Sequence, residues 1–223
     1  VYHQQEYGLI EAVEVFGADR AYDIEKFEPV LKQKLASAST LYVDPGDQSL
    51  VNAIQDFSQD GLLSNMNEIK NLNMLVNELR LLKDAYEIEQ LQKAIDITCQ
   101  AQIEVMKGVH PGMHEYEVQA LIEYIFRKNG ASGPGFPSIV GSGNNTTILH
   151  YHKNNRKMKP GDLLLMDIGA EYNMYTADVT RTIPVGGQFT PLQKNIYRLV
   201  LKALQRSILE ISPGKGIFEA HHK

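Results

Sequence analysis

Asp167 and Asp178 lie on either side of a segment, Leu163 to Thr182, that reads as a β-hairpin able to set both carboxylates on one face of a sheet. Leu163 to Met166 is apolar and strand-length, Val179, Thr180, Thr182 and Ile183 favour strand, and Glu171 to Met174 supplies the reversal. With Tyr172 and Asn173 as the loop, Glu171 pairs with Met174, Gly169 with Thr176 and Asp167 with Asp178. Like charges opposed on a sheet are destabilising, and an unpaired desolvated carboxylate is costly, so the pair needs a shared proton or a metal ion. The ordinary alternative is an ion pair with nearby Arg181, which could hydrogen-bond beside the aspartates or simply offset their charge. The run before Asp167 is too apolar for a surface acid, which favours the metal. Oxygen donors suit a hard or borderline divalent ion such as manganese, with zinc or cobalt if imidazole joins.

Other candidates are weaker. His150 and His152 flank Tyr151 and would face the same way on a strand; His150 follows the β-favouring Thr146 to Leu149, whereas His152 leads into a polar turn. A neutral imidazole at His150 could exchange a proton or hold structure by a hydrogen bond, and His152 reads as solvent-exposed. His110 and His114 have a helical ligand spacing, but Pro111 and Gly112 interrupt it, and His114 reads as a helix cap. Gly141 to Asn145 is glycine-rich but lacks the lysine of a phosphate loop and reads as a tight turn. Cys99, the sole cysteine, falls on an apolar helix face and reads as packing.

Around these residues the pattern places a small α/β region to about Asn71: a helix over Glu25 to Leu35, a strand over Thr40 to Val43, a turn at Asp44 to Asp47 and a helix over Ser49 to Phe57. Asn71 to Arg80 reads as an extended connector. Asp84 with Glu87 opens a helix whose apolar positions are Ile88, Leu91, Ile95, Thr98, Cys99 and Ile103. A second helix runs from His114, with Val118, Leu121, Ile122, Ile125 and Phe126 on one face, to Gly130. Thr190, Pro191 and Gln193 open a third, with Leu192, Ile196, Leu199, Val200, Ala203, Leu204 and Ile208 as its buried stripe.

The spaced motifs Pro137 to Gly143, Ile148-Leu149-His150-Tyr151, Lys159-Pro160-Gly161-Asp162 and the acidic hairpin resemble the catalytic domain of the Xaa-Pro aminopeptidase and prolidase family. The resemblance implies an α+β pita-bread fold, with residues 1–71 as the trailing part of an amino-terminal α/β domain and 72–223 as the first half of the catalytic domain. It implies two divalent metal ions, most simply Mn2+, with Asp167 on one and Asp178 bridging both, and His150 beside them for substrate binding and proton transfer. It also implies peptide substrates with proline second and a homo-oligomer, dimer or tetramer. The family's remaining ligands, one histidine and two glutamates, lie on later strands; His221 and His222 read as the start of a further helix. The chain opens at Val1, so it is expected to be an internal fragment, inactive alone, of a larger enzyme. A dipeptidase of the same family and a catalytically dead binding module are the alternatives.

Composition narrows the classes. A net charge of −5 with scattered cations disfavours nucleic acid, and no apolar run is long enough for a bilayer. The lone cysteine and absence of a signal pattern point to the cytoplasm.

Overall fold

A computed structural model describes residues 8–59 and 68–221, and it divides into two compact units, Val1–Leu82 and Lys83–Lys223. His222 lies outside the described residues.

The first unit contains α1 (Leu9–Phe16), a 3-10 turn (Ile24–Lys26), α2 (Phe27–Leu35), β1 (Thr40–Val43), α3 (Gln48–Gln59), β2 (Glu68–Asn71) and α4 (Leu72–Leu81). β1 and β2 are parallel. Asp44 and Asp47 build the expected turn: Asp44 Oδ1 accepts from Gly46 N at 2.8 Å, and Asp47 Oδ1 accepts from Ser49 N and Leu50 N at 3.0 Å to open α3. The extended connector expected over Asn71 to Arg80 is instead helix α4. Asn71 caps it by accepting from Asn73 N at 2.8 Å, so a residue that reads as loop-forming starts a helix.

The second unit contains α5 (Ala85–Gly108), α6 (Glu115–Lys128), β3 (Gly133–Pro134), β4 (Ile139–Ser142), a 3-10 turn (Gly143–Thr147), β5 (Leu163–Ile168), β6 (Ala170–Tyr172), β7 (Tyr175–Thr176), β8 (Val179–Pro184), α7 (Pro191–Glu210) and α8 (Ile217–His221). The helix signals hold locally. Asp84 and Glu87 cap each other reciprocally at 2.8 and 2.7 Å, and Thr190 with Gln193 does the same at 3.3 and 2.9 Å. His114 is the N-cap of α6, although the bond runs from its own N–H to Glu117 at 2.6 Å. Gly130 ends the turn after α6 at φ 89°, a conformation that favours glycine.

Two three-stranded sheets, β4-β5-β8 and β3-β6-β7, share the long hairpin, which bends between them. One face of the first sheet carries Val140, Leu164, Met166 and Ile168, buried against Ile97, Ala101 and Val105 of α5 and Val118, Ile122 and Phe126 of α6. The buried stripe of α6 is the expected one. That of α5 is so only in part: Thr98 is buried and Leu91 and Cys99 half-buried, but Ile88, Ile95 and Ile103 are exposed, and Gln90, Ala94, Ile97, Ala101, Gln102 and Val105 face inward with Thr98. Small and polar side chains occupy that face because the helix runs close to the hairpin and meets its backbone. The stripe of α7 is likewise exposed, Leu192 at 69% and Leu199 at 69%, because helical periodicity marks which face favours burial and not whether a neighbour covers it.

At the hairpin bend, a Cβ on Gly169 would fall 1.7 Å from the carbonyl oxygen of Ala177. The strands approach at this point only because residue 169 has no side chain. Gly169→Ala is expected to destabilise the protein by roughly 3 kcal/mol or more, read as a lower midpoint in urea unfolding.

Candidate metal centre

The hairpin register places the two aspartates. Glu171 pairs with Thr176 and Tyr172 with Tyr175, so the loop is Asn173-Met174, both at positive φ (47° and 70°) as a two-residue turn of the right twist requires. Asp167 lies opposite Thr180 and Ile168 opposite Val179. The expected pairing of Asp167 with Asp178 is therefore shifted by two residues. A shift of two keeps each side chain on its face, so Asp178 falls opposite Gly169 and the acids become diagonal neighbours on one face. On that face, opposite the one packed on α5 and α6, Leu163, Leu165 and Asp167 are half-buried and Asp178 is exposed.

The acids meet. The pKa of Asp178 is raised by burial, by the charge of Asp167 and by the hydrogen bond that a protonated Asp178 can make to it. Asp167 Oδ1 is buried without a partner, and among the described residues neither carboxylate is in an ion pair. Arg181 is not the counter-ion in either sense considered above. It stands opposite Met166, on the other face, and its Nη1 donates to Thr180 O at 2.8 Å. A proton shared between the two acids, or a divalent cation, would offset their repulsion, and a cation would also satisfy the orphaned oxygen. The donor set fits an oxygen-seeking ion, but only as part of a coordination sphere, since among the described residues no cluster of three or more His, Cys, Asp or Glu could hold a metal.

His150 does not lie on a strand. Gly143–Thr147 forms a 3-10 turn, and His150 follows in a tight turn at φ 50°, exposed. Its ring stacks with that of His152 at 6.4 Å, so the two do face the same way. Both line a 740 Å³ concavity with Asn145, Ile148, Tyr151 and Arg156, among others, and neither aspartate lines it.

The loop bearing these histidines is held by residues that sequence reasoning overlooked. Glu115, fully buried in the first turn of α6, accepts from Ser142 N and Oγ at 2.7 Å, Asn145 Nδ2 at 3.1 Å, Tyr151 OH at 2.7 Å and Arg156 N at 2.9 Å. Arg156 in turn pairs with Asp162 at 2.6 Å, and Asn154 donates to Ser138 O at 2.8 Å while accepting from Val140 N at 3.1 Å. Beside the capping Glu117, Glu115 looks in sequence like another first-turn acid, and its partner Tyr151 lies in the Ile148-Leu149-His150-Tyr151 motif.

Residues 89–223 match metallopeptidase family M24. The chain belongs to that family. It is 37% identical over 219 residues to a Xaa-Pro aminopeptidase of Haemophilus influenzae, covering 96% of this chain and 49% of that protein. It is 36% identical over 151 residues to a Xaa-Pro dipeptidase of Pyrococcus furiosus, covering 68% of this chain and 43% of that protein. A zinc-substituted aminopeptidase P of E. coli, solved with product, superposes with a TM-score of 0.91 at 35% identity over 99% of this chain and 52% of that one. The chain spans about half the length of these relatives. The α+β fold expected from the motifs is that of aminopeptidase P, the pita-bread fold.

Two outcomes follow from this geometry. Because the folded-state pKa of Asp178 is raised, the pair favours folding at low pH and loses that contribution as pH rises above the ordinary carboxylate range. Asp178→Asn should raise the melting temperature of the metal-free protein at pH 7 and have no such effect near pH 3.5, by scanning calorimetry. Glu115 behaves oppositely: burial alone would raise its pKa, but bonds from Arg156 N, Tyr151, Ser142 and Asn145 outweigh burial and hold it below the usual range. Its stabilisation is present above that range and disappears as pH falls through the lowered value, so Glu115→Gln should cost roughly 2–3 kcal/mol at pH 7 and progressively less in acid, by urea unfolding.

Proposed function

We propose that this chain is part of a Xaa-Pro aminopeptidase, a metal-dependent hydrolase that releases the amino-terminal residue from peptides with proline second. The observation that carries the reading is the pair of facing carboxylates with an unpartnered buried oxygen and no cationic side chain between them. Asp167 and Asp178 would hold divalent ions, Mn2+ by the hardness of the donors, with zinc or cobalt as substitutes. When bound they supply Lewis-acid polarisation and a source of hydroxide near neutral pH. His150, exposed on its concavity, hydrogen-bonds the substrate and transfers a proton. Proline lacks an N–H and fixes the chain sterically, which sets such substrates apart from those of general aminopeptidases.

Residues 1–71 belong in this reading to the amino-terminal domain and 72–223 to the first half of the catalytic one. Two carboxylates are too few donors to retain metal tightly, so the 223-residue chain by itself is hydrolytically silent. The exposed stripe of α7 is consistent with association into homo-oligomers. A dipeptidase is the second reading, favoured by the Pyrococcus furiosus relative.

The test uses the full-length protein with Mn2+ and two substrates, a longer peptide with proline second and a Xaa-Pro dipeptide. Preference for the longer peptide is expected, and preference for the dipeptide selects the second reading. Asp178→Ala should lower kcat/KM more than about 100-fold and weaken metal binding. Partner binding without any hydrolysis by the wild type would instead identify a dead module.

A further inference from the structure

Gln102 and Thr98 sit one helical turn apart on the inward face of α5, at 3% and 0% exposure. The Nε2 of Gln102 donates to Val179 O at 2.9 Å and to Met166 O at 3.4 Å. Those carbonyls belong to the residues next to Asp178 and Asp167. Thr98 Oγ1 accepts from Ala170 N at 2.9 Å and donates to Ala94 O at 2.8 Å, so it holds the hairpin just beyond the bend at Gly169. The ladder is interrupted here, between β5 and β6 on one strand and between β7 and β8 on the other. Gln102 Oε1 is buried without a partner, so the two carbonyls alone determine how the amide is oriented. Burying such a polar atom is unfavourable, and an apolar side chain would avoid it.

We propose that Gln102, with Thr98, is a positioning clip for the metal-binding pair: one amide ties the Met166–Asp167 peptide group to the carbonyl of Val179, the residue after Asp178, and sets the separation of the two carboxylates from the opposite face of the sheet. The inference rests on the metal reading of Asp167 and Asp178.

The experiment titrates Mn2+ calorimetrically into the full-length protein, without substrate. Gln102→Met preserves length and removes both donors; it should weaken Mn2+ affinity roughly 10-fold with the fold retained by circular dichroism. Val105→Ala, a core truncation one turn along the same helix, should lower the melting temperature and leave Mn2+ affinity unchanged. Equal Mn2+ affinity in wild type and Gln102→Met, or equal weakening in Gln102→Met and Val105→Ala, overturns the clip. If Gln102→Met does not fold, Thr98→Val carries the same test, with weakened affinity expected and unchanged affinity overturning. Asp167→Asn and Asp178→Asn separate the two ideas. If they leave Mn2+ binding intact, the metal reading itself fails; if they abolish it while Gln102→Met does not weaken it, only the clip fails.

Discussion

Two acids held on the same face of a hairpin repel each other, and that repulsion organises the rest of the structure. Either side chain alone would turn toward water. Together, diagonal on a sheet whose other face is packed on two helices, they remain in contact only with a proton or a cation between them. An ion placed beside the buried oxygen of Asp167 would be strongly attracted, since charges interact more strongly where water is scarce.

The backbone has to be rigid for such a pair to persist. The hairpin bends where Gly169 permits the strands to touch, and a bend leaves peptide groups outside the regular ladder. Polar side chains on α5 take up those groups, which explains why a helix in the middle of a hydrophobic core presents Thr98 and Gln102 inward beside Ile97, while Ile88, Ile95 and Ile103 are exposed. On the other side of the unit, Glu115 performs a similar task for an irregular loop. Five hydrogen-bond donors converge on one carboxylate and draw both ends of the segment from Ser142 to Arg156 onto the start of α6. His150 is thereby presented from an anchored loop, not from a strand.

Family membership and geometry bear on different questions. Likeness to aminopeptidase P over nearly the whole chain accounts for the α+β architecture, and the chain reaches over about half of those relatives. What the described residues add is the state of the paired carboxylates and the means by which two helices hold the surrounding backbone.

Helix starts, the acidic hairpin and the apolar face of α6 were readable from residue order because capping, turn formation and periodicity are local effects. Even the error in hairpin register left the aspartates on one face, since a two-residue slip preserves the alternation of a strand. Residue order did not determine the full inward face of α5, that no described residue covers the stripe of α7, that Asn71 begins a helix, or that Arg181 turns away from the acids. Those depend on which surface meets which. A glutamine or a glutamate looks the same in sequence whether it faces water or an interrupted ladder, and only the assembled fold brings Gln102 to two carbonyls 64 and 77 residues away.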